Sequence, residues 1–138
     1  AAHRYTPELL HVDVVCPNET EAAALTGLAV TSPDSACAAA AQLQQQGARQ
    51  VVITLGDKGA VFRDAAGNSE HLSPCAVTAV DTTAAGDAFA AALGIRLAEG
   101  ATLQDAGRFA CAAGAVAASR AGAQPGLPSR ADVRKLLG

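Results

Sequence analysis

Between Gln50 and Leu55 the chain carries the run Val51-Val52-Ile53. Consecutive β-branched residues favour the pleated backbone, and a run this short and apolar predicts a buried strand rather than a helix. The strand needs cover, and the composition says what kind. Half of the residues are hydrophobic, yet aromatics are only 3% and Met and Trp are absent, so Ala supplies much of the apolar content. Ala favours helices. The expectation is closely packed helices around a Val/Leu/Ile sheet.

The remaining elements follow from local signals. Val12-Asp13-Val14-Val15-Cys16 predicts an earlier buried strand, ended by Pro17, which cannot donate to a ladder. Asn18 opens a short helix that stops at Gly27. Ser32-Pro33-Asp34 opens a second, in which Ala36, Ala39, Ala40 and Leu43 fall on one face before Gly47. From Gly56 to Val80, turns at Gly56-Asp57-Lys58-Gly59 and Ala66-Gly67-Asn68 predict an antiparallel meander. A helix carrying Phe89, Leu93 and Leu97 follows, ending near Gly100. Another runs from about Leu103 to Ser119 with a small-residue stripe at Ala106, Ala110, Ala113 and Ala117, and a short one closes the chain from Ser129 to Leu137. No internal repeat and no dividing linker is visible. The order strand-helix, helix-strand, meander, helices predicts a layered α/β domain over residues 1–138.

Several classes are disfavoured. The net charge is -3 with no basic run, which argues against a nucleic-acid groove. No apolar run approaches the ~20 residues of a membrane-spanning helix, and no signal-peptide pattern stands at the start. Cys16, Cys37, Cys75 and Cys111 are scattered without a C-x-x-C pair, so they read as small buried hydrophobes in a reducing cytoplasm, a disulfide being the alternative. His3 and His11 lie in the opening segment and His71 on a meander strand, none in a ligand pattern. Met is missing even at position 1, so the expectation is a piece of a longer chain, a trimmed small protein being the alternative.

The chemistry concentrates in Asp81-Thr82-Thr83-Ala84-Ala85-Gly86-Asp87, which leads into an apolar helix. A helix start exposes unpaired N–H groups and the positive end of the dipole. Small residues at Ala84, Ala85 and Gly86 let a phosphoryl group reach those donors, making an anion hole. Asp87 sits beside it as a base able to accept a hydroxyl proton, which suffices for phosphoryl transfer with its loose transition state. A simple helix cap at Asp87 with a turn at Gly86 is the plainer reading. Asn18 and Glu21 stand three apart at a helix start on one face, which by itself reads as an ordinary capping box. Thr54, Gly56, Asp57 and Gly59 by themselves read as a plain hairpin turn, its glycines allowing close backbone approach. Lys58 in that loop reads as a surface residue or a phosphate ligand.

Taken together, DTTAAGDAFAAAL, PNETEAAALTG, VVITLGDKGA and AGAQPGLP resemble, in order and near-spacing, the C-terminal half of the ribokinase (phosphofructokinase-B) family of carbohydrate kinases. The resemblance implies a ribokinase-like layered α/β/α domain, here only its C-terminal portion without the N-terminal half and β-lid. It implies Asp87 as proton acceptor from the sugar, Ala84 to Gly86 as anion hole, and Asn18, Glu21, Thr54, Gly56, Asp57 and Gly59 at ATP and Mg2+. It also implies a K+ site, mainly of carbonyl oxygens, at Asp81, Thr83, Ala117, Arg120, Gly122 and Gly126. Gly126 departs from the Ser of many ribokinases, so an ion relying on that side chain would bind more weakly. Cys111 falls where His or a similar residue often borders adenine, and Ala90-Ala91 and Gly94 also depart from the signature.

Two classes of function follow. One is an ATP-dependent sugar kinase, with ribose favoured and a fructokinase or nucleoside kinase as variants, the isolated chain being inactive. The other is a non-catalytic ATP- or ADP-binding module. Without the N-terminal half, an exposed sheet edge and apolar face are expected to promote self-association.

Overall fold

A computed structural model of the chain describes residues 6–138, so His3 lies outside the described residues. The chain gathers into two compact units, the first ending at His71 and the second beginning at Leu72.

The first unit is built on a mixed sheet of order β1-β2-β3-β4, formed by β1 (Val14–Val15), β2 (Gln50–Thr54), β3 (Ala60–Arg63) and β4 (Ser69–Leu72). β1 runs parallel to β2 with Val15 opposite Val51, and β2 runs antiparallel to β3 with Val52 opposite Phe62. Parallel strands require a long crossover, here supplied by α1 (Glu19–Thr26) and α2 (Pro33–Gln45). Gly27 ends α1 in the left-handed region, at φ 74°. On α2 the face Ala36, Ala39, Ala40 and Leu43 is fully buried and joins Val51, Ile53, Leu55 and Val61 in one core. Alternation turns Val52 and Phe62 to the other side of the sheet, where they too are buried. The expected buried strand is therefore present. Each such side chain contributes about 1.5–3 kcal/mol by leaving water.

The meander is shorter than expected. β3 and β4 are joined by a turn in which the Asp64 N–H donates to the Asn68 carbonyl at 3.0 Å and the Asp64 carboxylate accepts the Asn68 N–H at 2.9 Å. Beyond Leu72 the ladder stops, and residues 73–80 form no strand. Pro74 has no N–H to offer. The N–H groups of Val80 and Asp81 go instead to a single helix carbonyl, that of Ala118, at 2.8 and 3.0 Å.

The second unit is helical: α3 (Ala85–Ala98), α4 (Leu103–Ala118) and α5 (Arg130–Leu137). α4 packs against both of the others. Its Ala106, Ala110, Ala113 and Ala117 are all buried, as are Phe89 and Leu93 of α3, while Leu97 is half-buried. Glu99 ties the end of α3 to the start of α5 by accepting from Arg96, at 2.7 Å, and from Arg130. Water reaches these groups and screens both pairs, so they contribute little to stability.

Candidate active site

In the first unit, Asn18, Glu21 and Thr54 are brought together. Asn18 caps α1: its Oδ1 accepts the Glu21 N–H at 2.9 Å, and Glu21 Oε2 accepts the Asn18 N–H at 2.9 Å. The capping box is therefore formed. It leaves Asn18 Nδ2 as a donor and Glu21 Oε1 as an acceptor, both on exposed residues at the positive end of the helix. Thr54 lies next to them, because it bridges to Asn18 and its N–H donates to the Pro17 carbonyl at 3.0 Å.

The chain then turns tightly. Leu55 N–H donates to the Gly59 carbonyl at 2.8 Å, closing a single 3-10 turn over Gly56–Lys58. Gly59 sits at φ 87°, ψ -132°, a conformation that glycine alone adopts readily. Gly56 and Asp57 are exposed at the tip. Lys58 is turned to another task, with its ammonium donating to the Thr31 carbonyl at 3.0 Å and its own carbonyl within 2.7 Å of His71 Nε2.

In the second unit, the start of α3 is open. Ala85 N–H donates to the Thr82 carbonyl at 3.2 Å, and the regular helical pattern begins only with Ala88 N–H to the Ala84 carbonyl at 2.9 Å. The Gly86 and Asp87 N–H groups, which fall between these, have no partner among the described residues. Both residues are exposed, and a Cβ placed on Gly86 would meet nothing within 4 Å. The Asp87 carboxylate stands in this first turn with no hydrogen-bond partner among the described residues.

Asp81 links this loop to the segment after α4. One carboxylate oxygen accepts from the Thr83 N–H at 3.0 Å and from the Thr83 hydroxyl, and the other accepts the Gly122 N–H at 3.1 Å. The Thr83 side chain first, then the two N–H groups, hold this carboxyl below the ordinary carboxylate range. Gly126 is buried against the same segment. Its N–H donates to the Gly122 carbonyl at 3.2 Å, and a Cβ there would come within 2.4 Å of that oxygen and 3.6 Å of the Ala117 carbonyl. Two carbonyl oxygens thus converge where a serine side chain would stand, and this conformation has no room for one. Arg120 contributes its N–H to the Ala117 carbonyl at 3.2 Å and its guanidinium to Asp132 at 3.0 Å. Cys111 is half-buried on α4, and burial, with a smaller contribution from Cys75, pushes its thiol up to about 12.

Residues 2–130 match the pfkB family of carbohydrate kinases. The chain belongs to that family. Ribokinase of Haemophilus influenzae is 40% identical over 126 residues, a span covering 91% of this chain and 41% of that protein. The chain also matches the structure of Arabidopsis thaliana ribokinase complexed with ribose and ATP. There the TM-score is 0.88 at 36% identity, over 96% of this chain and 43% of the other. Phosphofructokinase-2 of Escherichia coli in complex with potassium gives a TM-score of 0.84 at 34% identity, over 94% of this chain and 41% of the other. The fold is thus the ribokinase-like α/β fold, and the chain spans about two fifths of the length of these pfkB relatives.

One residue escaped the reading of the sequence. Gly114 of α4 faces the Ala85 carbonyl, and a Cβ there would lie 3.2 Å from that oxygen. Its only signal was a glycine inside an Ala-rich helix.

Proposed function

We propose that this chain carries the nucleotide-binding residues and the catalytic base of an ATP-dependent sugar kinase, with ribose the favoured substrate. The observation that carries the reading is the start of α3, where two unpartnered N–H groups and an exposed carboxylate share one turn. In the reaction, the sugar hydroxyl oxygen bonds in line to the γ-phosphorus of ATP, the bond to the β-phosphate oxygen breaks, and ADP leaves. Asp87 accepts the hydroxyl proton, and the Gly86 and Asp87 N–H groups, with Ala84 and Ala85 leaving the approach clear, face the charge on the transferring oxygens. Taken by itself, the first unit offers a nucleotide the Thr54 to Gly59 turn and the Asn18 Nδ2 donor; the second, by itself, offers Cys111 beside a base.

The family implies two cations, and the donor sets fit both. Glu21 Oε1 is free to hold a water of hydrated Mg2+, which characteristically keeps several waters. The converging Ala117 and Gly122 carbonyls, with the Arg120 and Gly126 carbonyls close in sequence and the Asp81 carboxylate and Thr83 tied to Gly122 by hydrogen bonds, suit a monovalent K+. Bound there, the cations supply positive charge to the phosphates and to the loop before α3. We place the kinase in the cytoplasm, a reading supported by four cysteines that are all free.

A second reading has its own support. The chain spans 41% of the Haemophilus influenzae relative, and a part of a kinase is able to bind ATP or ADP without transferring phosphate. We therefore expect the isolated chain to be inactive and to self-associate. A phosphofructokinase also stands among the relatives.

The test has two arms. The isolated chain is mixed with ATP, Mg2+, K+ and ribose, and both ADP release and calorimetric binding are followed. A chimaera is also made, in which this chain replaces the matching 41% of the Haemophilus influenzae ribokinase. Nucleotide binding by the chain and ribose-dependent ADP release by the chimaera are expected. A folded chimaera that binds ATP and ribose without turnover leaves only the binding module, and an isolated chain with no nucleotide affinity removes that too.

A further inference from the structure

Of the five α-helices described, α3 alone begins without a side-chain cap. Asn18, Ser32, Thr102 and Ser129 each accept an N–H at the start of α1, α2, α4 and α5, whereas Ala84 has nothing to offer. An uncapped start is less well defined by its own side chains, which leaves contacts from outside the helix to fix where α3 begins. Two contacts do this. One is the Ala85 N–H to the Thr82 carbonyl. The other is the approach of α4, where Gly114 faces the Ala85 carbonyl.

Gly114 has no conformational reason to be glycine, since it lies in the regular part of α4 and its φ is not positive. In a helix interior glycine is less favourable than alanine, and alanine fills most of the neighbouring positions. What distinguishes the site is space. A Cβ would lie 3.2 Å from the Ala85 carbonyl oxygen and 3.6 Å from the Phe89 Cβ. The first is tighter than ordinary contact, and the obstacle is backbone, which has no rotamer to change.

We propose that Gly114 is a positioning residue, whose missing side chain lets α4 seat the first turn of α3 and so sets the aim of the Gly86 and Asp87 N–H groups and the Asp87 carboxylate. This rests on the reading of that turn as the phosphoryl site. Gly114 does not touch the substrate. It acts through Ala85.

The experiment follows backbone amides of the whole chain by NMR while inorganic pyrophosphate is added, in the wild type, G114A, G114V and the control G94A. Gly94 lies on α3 with nothing within 4 Å of its would-be Cβ. The proposal expects Gly86 and Asp87 amide positions to move in free G114A, and pyrophosphate to bind it severalfold more weakly, with a melting temperature near or above that of the wild type. G114V should exaggerate both effects, and G94A should keep wild-type affinity. G114A that is folded, with Gly86 and Asp87 amides and pyrophosphate affinity unchanged, overturns the proposal whatever G114V does. If pyrophosphate leaves the wild-type Gly86 and Asp87 amides unmoved, the phosphoryl-site reading falls instead. The seating role is then decided by the free-chain amide positions alone.

Discussion

The carboxylate of Asp81 accepts the backbone N–H of Gly122, 41 residues later in the chain, at 3.1 Å. The same carboxylate holds Thr83, just before α3. It therefore ties the loop that leads into the candidate phosphoryl site to the segment that follows α4. A carboxylate does this because both of its oxygens are acceptors.

An amide at this position has one acceptor arm and one donor arm. D81N is therefore expected to keep either the Thr83 contacts or the Gly122 contact, and not both. Hydrogen exchange should show the N–H of Thr83 or of Gly122 becoming markedly less protected, while amides of α1 and α2 keep their wild-type rates. Unchanged protection at both positions would show that the tie carries no constraint.

A second prediction concerns the turn between α2 and β2. Gly47 has φ 122°, and a Cβ there would come within 2.1 Å of the His11 ring. Two separate obstacles face any side chain, one conformational and one steric. G47A is expected to lower stability by about 1–3 kcal/mol, the usual cost of a side chain in such a backbone region. Adding H11A should recover only the steric part in chemical denaturation. Complete recovery would mean the backbone relaxes without cost.

Much of this architecture was readable from local pattern. The face Ala36, Ala39, Ala40, Leu43 and the run Val51-Val52-Ile53 declared their burial through spacing and residue type, and four motifs in order pointed to the pfkB family. At Asn18 and Glu21 two readings competed, and the capping box is present while leaving one polar atom on each side chain free. Long-range pairing was not legible. Nothing near Val80 and Asp81 in the sequence says that their N–H groups find the Ala118 carbonyl rather than a strand. The Asp81–Gly122 tie and the approach of Gly114 to Ala85 are likewise products of helix packing, which no spacing rule encodes.

The cysteines give a third prediction. Burial, with a smaller contribution from Glu21, pushes the Cys16 thiol up to about 11, and burial pushes that of Cys111 up to about 12. At pH 8 the thiolate, the reactive form, then amounts to about one molecule in a thousand or fewer. Intact-mass measurements with iodoacetamide at pH 8 should show Cys16 and Cys111 alkylated far more slowly in the folded chain than in urea. The sign for stability follows from the raised values. The unfolded thiols, with pKa about 8.5, lose protons first. The stability is therefore fully present below that value and is lost as pH rises through the folded values near 11 and 12. Rapid alkylation of Cys111 in the native chain would contradict the burial of its sulfur.

The last prediction bears on the proposed base. Asp87 lies in the first turn of α3 with its carboxylate exposed and without a protein partner among the described residues. Asparagine matches its size and keeps one oxygen, so D87N should leave the helix start and the adjacent N–H groups in place. What it removes is proton acceptance. In the ribokinase chimaera, turnover is expected to fall by about 10²–10⁴, the contribution typical of a positioned base, while the affinity for ATP measured by calorimetry stays nearly unchanged. The two quantities separate the roles. If Asp87 only shaped the helix start, nucleotide affinity and turnover would decline together, and if it were merely a surface carboxylate, neither would change.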